Sequence, residues 1–254
     1  MKSRRLLRIL CCSLYAVLFF CPLANAEPQF VDIEMVIAVD ISSSVDDAEY
    51  DLQMTGLAWA LRHPEVIAAI ESLNSGGVAV AVVQWSGTWA QEVVVDWSQI
   101  VNLADAAQFS DSVAATPRAF SGGATSISGA IHFGLSELQT NDFNGNHLVI
   151  NVMGDGRGND GPLPTSVRDR ALSLDVTING LAIINEQPFV DSYYEENVIG
   201  GLDSFVLEAK DYHDFSRAAL EKLVREIRQR SPAGQTVAWL DRGIQFEDRV
   251  PNFP

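Results

Sequence analysis

The run Met35-Val36-Ile37-Ala38-Val39 constrains this chain more than any other stretch. Five consecutive apolar residues cannot all face one side of a strand, so both faces must be covered, as in a central strand of a parallel sheet between helices. The residues before it alternate, with Val31, Ile33 and Met35 apolar, so the expected strand runs over 31–39. Further strands are expected over 78–85, 148–152, 176–183 and 204–207. Helical stripes lie between them. Tyr50, Met54, Leu57 and Leu61 recur at helical spacing up to the break at Pro64, with a short helix over 65–73 and a turn at Gly76-Gly77. Helices are also expected over 103–113, from Ile127 through Leu138, over 167–174, and in a closing segment with Phe215, Ala219, Leu223 and Ile227 on one face. Lys222, Arg225, Arg228 and Arg230 stand near the C-terminal end of that segment, where the helix dipole favours cations. The stretch 186–201 reads as a loop.

One connection breaks the alternation. Only a few residues around Gly87-Thr88 separate strand 78–85 from a strand over 91–97. That is too short for a parallel crossover, so the two form a hairpin and one strand runs antiparallel, at an edge. The expected fold is α/β: a doubly wound, mostly parallel central sheet with one antiparallel edge strand and helices on both faces. Such sheets bind ligands beyond the carboxyl ends of their strands, near the point where strand order reverses.

The N-terminus reads as something other than fold. Lys2, Arg4, Arg5 and Arg8 precede an apolar run from Ile9 to Leu23, and Ala24-Asn25-Ala26 has the small-x-small form of a cleavage site. Residues 1–26 are expected to be a signal peptide and 27–254 one domain, exported to the periplasm or beyond. The apolar run is short against the about 20 residues of a membrane-spanning helix. Cys21 raises a lipoprotein alternative, weakened by the bulky Phe19-Phe20 before it. Cleavage would remove Cys11, Cys12 and Cys21, leaving no thiol or disulfide, and would take the formal net charge from −16 to −20 through loss of four basic residues. So acidic a surface repels nucleic acid and anionic membranes and suits a cation or a basic partner.

Two strand ends and one loop carry the candidate chemistry. Asp40-Ile41-Ser42-Ser43-Ser44 follows the first strand in the form D-x-S-x-S, Thr125 lies in the loop opened by Gly122-Gly123, and Asp155 follows strand 148–152. Singly these have plain structural readings: Ser42 as a helix N-cap ahead of Asp46-Asp47, Asp155 as a turn cap. Together they meet at one edge of the sheet and offer hydroxyls and carboxylates, the oxygen donors that Mg²⁺ and Mn²⁺ prefer.

In this order the residues resemble the metal-ion-dependent adhesion site of von Willebrand factor type A (vWA) domains. The resemblance covers essentially the whole segment after residue 26. It implies a Rossmann-like fold and a Mg²⁺ or Mn²⁺ site in which Ser42, Ser44 and Thr125 supply oxygens and Asp40 and Asp155 balance charge, often through water or a serine hydroxyl. A shell of neutral hydroxyls leaves the ion seeking an anionic ligand, implying a protein or peptide partner that offers a carboxylate. Gly154-Asp155-Gly156, Asn179-Gly180-Leu181, Tyr193-Tyr194 and Val198-Ile199-Gly200-Gly201 look like a family of secreted bacterial proteins with a single vWA domain, known as a domain of unknown function.

The expected role is therefore cation-dependent binding. A metal-dependent hydrolase using the same ion is an alternative, and a metal-independent scaffold is another. No nucleophile elbow, phosphate loop or H-E-x-x-H motif occurs, and His63, His132, His147 and His213 form no pair at ligand spacing. Trp85, Trp89 and Trp97 lie on or beside the hairpin, at least one of them in the core. Tyr193-Tyr194 either rims the site or packs the loop, and Asn159-Asp160 reads as a solvated turn.

Overall fold

The computed structural model describes residues 27–74 and 76–231. The expected signal peptide and the last residues, 232–254, lie outside them. In chain order the elements are β1 (Gln29–Asp40), α1 (Asp47–Leu61), α2 (Pro64–Glu71), β2 (Val78–Trp85), β3 (Gln91–Ile100), α3 (Leu103–Ala114), α4 (Ile127–Thr140), β4 (Phe143–Gly154), α5 (Pro164–Leu172), β5 (Val176–Ile183), α6 (Val190–Asn197), β6 (Val206–Ala209) and α7 (Phe215–Gln229).

The six strands form one sheet in the order β3-β2-β1-β4-β5-β6. Every pairing is parallel except β2 with β3, which is the expected antiparallel hairpin at the edge. β1 sits between β2 and β4, so strand order reverses beside it and a crevice opens where Asp40 and Gly154 end their strands.

Alternate residues of β1 serve two cores. Ile33, Met35, Ile37 and Val39 pack toward α1, α2, α3 and α7, while Val36 and Ala38 pack toward α4, α5 and α6. This double burial is why the run 35–39 contains no polar residue. Local signals set the helix starts. Asp46 and Glu49 form a reciprocal capping box at α1, with Oδ1 of Asp46 accepting from the Glu49 amide at 2.8 Å and Oε2 of Glu49 accepting from the Asp46 amide at 2.9 Å. Pro64 and Pro164 open α2 and α5 in the first turn, where a missing N–H costs nothing.

Beyond shifted element ends, such as β4 at 143–154 against the expected 148–152 and β6 at 206–209 against 204–207, two features differ from the sequence expectation. The stretch 186–201 contains α6, because Val190, Tyr194 and Val198 recur at four-residue spacing and are fully buried against β5. That stripe is one residue wide and set among polar neighbours, which hides it in the sequence. Lys222 is the second. It is not a solvated cation at a helix end but is fully buried under the sheet, where its Nζ donates to Asn151 Oδ1 at 2.6 Å and Glu226 Oε1 at 2.5 Å. Glu226 also accepts from the side-chain amides of Asn151 at 2.8 Å and Asn179 at 2.7 Å. The network bonds α7 to β4 and β5, and burial lowers the lysine pKa against the pull of Glu226. Among the described residues no helix is long and apolar enough to cross a membrane.

Candidate metal centre

The crevice at the reversal of strand order gathers the residues singled out by the motif. β1 delivers Asp40, fully buried, and the chain then turns over Ser42 to Ser44 before α1 begins. The Ser42 amide donates to Asp40 Oδ1 at 2.7 Å, which fixes the carboxylate and the turn together. The hydroxyls of Ser42 and Ser44 stand 3.2 Å apart, and Ser44 Oγ donates to Asp155 Oδ1 at 2.8 Å. Four of the five candidates thus form a continuous chain of contacts.

Thr125 has no direct bond to these four, but the loop that carries it docks beside them. The Ser43 amide donates to the Gly123 carbonyl at 3.0 Å and the Gly123 amide donates to Ser43 Oγ at 2.9 Å, docking the glycine loop on the serine turn. From the other side the Thr125 amide donates to Asn159 Oδ1 at 2.8 Å, and the Thr125 carbonyl accepts from the Asn159 amide at 2.9 Å. Gly122 and Gly123 both have positive φ, 105° and 148°, which a side chain would rarely tolerate. Asn159-Asp160 is therefore more than a solvated turn: Asp160 Oδ2 accepts from both the amide and the hydroxyl of Thr88, at 2.7 Å each, and so ties this loop to the β2–β3 hairpin.

Three residues outside the motif complete the site. Tyr212, just before α7, donates its hydroxyl to Asp155 Oδ2 at 2.9 Å, so both oxygens of Asp155 are engaged. Arg118 donates to the carbonyls of Ile41, Ser42 and Val45 at 2.9, 3.2 and 2.8 Å, with its guanidinium over the Tyr50 ring. It clamps the serine turn from below. Tyr194 on α6 is fully buried, and a Cβ placed on Gly154 would stand 2.9 Å from its hydroxyl and 2.8 Å from Asp40 Oδ2. Gly154 is there because nothing larger fits between those two oxygens. Tyr194 thus lines the site, while Tyr193 on the same helix packs against Arg157. None of the three lies within the motif's own segments; the sequence raised Tyr194 as one of two readings, while Tyr212 and Arg118 are revealed only by the placement of their elements.

Asp40 Oδ2 and the Tyr194 hydroxyl are buried without a hydrogen-bond partner. Burial, reinforced by the charge of Asp155, pushes the Asp40 carboxyl up to about 8. The same burial and the nearby carboxylates raise the pKa of Tyr194 and Tyr212, so both remain phenols. An orphaned carboxylate oxygen beside serine hydroxyls and a second carboxylate is the donor chemistry of a hard divalent ion. Among the described residues no group of three or more His, Cys, Asp or Glu could hold a metal, so such an ion would rest largely on hydroxyls.

The hairpin tryptophans divide. Trp85 is fully buried, Trp97 is partly buried against Phe143, and Trp89 at the tip is exposed.

Comparison with known proteins agrees with this architecture. Proximal thread matrix protein 1 from the mussel byssus superposes with a TM-score of 0.58 at 19% identity, over 81% of this chain and 49% of its own. Another structure of that protein, at 21% identity and a TM-score of 0.58 over 78% of this chain and 48% of its own, is described as having a zinc-occupied MIDAS motif. The von Willebrand factor domain of the type V pili tip protein Mfa5 from Porphyromonas gingivalis matches with a TM-score of 0.54 at 12% identity, over 81% of this chain and 98% of its own. This chain spans about half the length of the mussel structures. Among curated proteins no sequence matches it. A family model described as "Protein of unknown function (DUF1194)" matches residues 30–231. The chain belongs to that family, and its fold is a von Willebrand factor type A domain.

Proposed function

We propose that this protein is an exported, divalent-cation-dependent binding domain of the adhesion type. Residues 1–26 act as its signal peptide, and 27–254 form the released domain. Ser42, Ser44 and Thr125 supply oxygens to Mg²⁺ or Mn²⁺, while Asp40 and Asp155 position those hydroxyls and balance the charge. The bound ion supplies an electrophile for a carboxylate of a protein or peptide partner. The observation that carries this reading is Asp40 Oδ2, fully buried and without a hydrogen-bond partner next to two serine hydroxyls and a second carboxylate. Burial keeps this carboxyl protonated up to about pH 8, and a bound divalent ion would supply the charge compensation its ionised form lacks. Solved structures similar in fold include a pilus tip domain and a byssal thread matrix protein, which supports the adhesion type.

Titration calorimetry with Mg²⁺ and Mn²⁺ on the chelator-treated protein tests the proposal. Saturable binding, lost in Asp40→Ala and Asp155→Ala, is expected. Absence of binding, or equal binding by both variants, overturns it.

A further inference from the structure

The surroundings of the crevice are not uniform. On the α4–α6 side three loops leave the same end of the sheet, and each presents one bulky apolar side chain to solvent: Trp89 in the β2–β3 turn, Leu163 before α5 and Phe189 before α6, exposed by 96%, 74% and 68%. The loops are fastened to one another. Thr88 donates twice to Asp160, and the Arg157 amide donates to Gln187 Oε1 at 3.1 Å. Phe189 is further held in a left-handed backbone conformation, with φ of 64°, that only a constrained turn sustains. Among the described residues, the remaining exposed large apolar side chains lie at the opposite end of the strands.

On the α1–α7 side of the same sheet end lies a cavity of about 470 Å³. Glu49, Asp51 and Asp211 are among its lining residues, and Tyr212, which holds Asp155, forms part of its wall. Its carboxylates belong to a chain of net charge −16, so a second copy of the protein is repelled from it and a basic ligand is drawn in.

We infer that the partner is a protein segment in three parts: a carboxylate residue at the crevice, bulky apolar residues on the Trp89, Leu163 and Phe189 side, and lysine or arginine on the Asp51 and Asp211 side. The inference rests on the cation site proposed above for its central contact, and adds a direction to it. An acidic ligand residue alone would meet repulsion from the surrounding carboxylates. The basic flank offsets that repulsion, and the apolar flank supplies the affinity, because the exposed side chains lose water only when covered.

Panning a random dodecapeptide display library on the full protein in Mg²⁺ tests this. Selected peptides are expected to carry Asp or Glu with aromatic or aliphatic residues on one side and Lys or Arg on the other. A triple variant, Trp89→Ser, Leu163→Ser and Phe189→Ser, should bind the selected peptides roughly 10-fold or more weakly, since the apolar area is no longer buried. Asp51→Asn with Asp211→Asn should lose the basic preference and flatten the salt dependence of binding. Peptide selection that yields no such pattern, or binding unchanged in both variants while Mg²⁺ still titrates into the protein, overturns the inference and leaves the cation site standing. Selection of the same pattern with no Mg²⁺ binding and no effect of chelator sinks the cation site while the two flanks stand.

Discussion

Tyr212 donates its hydroxyl to one oxygen of Asp155 while Ser44 donates to the other. The aspartate at the end of β4 is thus locked between the turn after β1 and the segment that leads into α7. Neither partner can shift without releasing the carboxylate.

Tyr212→Phe removes that lock without changing side-chain volume appreciably. Hydrogen bonds that orient the carboxylates of a metal site are worth about 10- to 100-fold in affinity. A fall of that order in Mg²⁺ affinity is expected, with an unchanged far-ultraviolet circular dichroism spectrum, and calorimetry on the variant measures it.

The metal-free protein should lose stability as pH rises. The Asp40 carboxyl has an ordinary value of 3.8 and is pushed up to about 8 in the folded state by burial and by Asp155. Below 3.8 both states hold the proton and the contribution is fully present. Between about 4 and 8 the unfolded chain ionises while the folded chain resists, so stability falls, at up to about 1.4 kcal/mol per pH unit. Urea melts in chelator at pH 5 and pH 8 should show this decline, and Asp40→Asn should show a flatter profile. Mg²⁺ should flatten the wild-type profile as well, because it favours the ionised carboxylate.

Gly154→Ala places a methyl within 3 Å of both Asp40 Oδ2 and the Tyr194 hydroxyl. Neither oxygen is the tip of a mobile chain, so the substitution displaces Asp40 itself. A stability loss of about 1–3 kcal/mol from overpacking is expected, accompanied by loss of cation binding. Gly154→Ala in the Tyr194→Phe background, where one clash is relieved, should recover part of the stability.

Lys222→Met tests the buried network. The side chain fits the space, but Glu226 loses its cation in a site closed to water. Breaking such a pair costs about 3–5 kcal/mol. The melting temperature should drop sharply while cation affinity, measured below the transition, stays close to wild type.

Much of the molecule was legible because parallel strands buried on both faces write themselves as uninterrupted apolar runs. Residues 78–85 and 176–183 are strands over the full expected spans, and the short link at Gly87-Thr88 dictated the antiparallel edge. The meeting of Asp40, Ser42, Ser44 and Asp155 followed from their places at strand ends. What escaped the sequence depends on three-dimensional neighbours. The α6 stripe is too narrow to stand out from Asp191, Glu195 and Glu196 around it. Tyr212 belongs to no periodic pattern, and its partner lies 57 positions away. Lys222 carries the signature of a surface cation, and only the amides of Asn151 and Asn179 and the carboxylate of Glu226 reveal it as interior. Burial of charge is a property of the partners, which no local window contains.

Ser44 and Asp155 are 111 positions apart, and they touch only because β1 and β4 lie side by side in the finished sheet. A chain folded as far as α4 owns one half of the crevice and no aspartate to close it. On the proposed reading, a cation would therefore find its full set of oxygens only once β4 has paired with β1. Cation binding, if the proposal holds, would then double as a readout that β4 has threaded between β1 and β5.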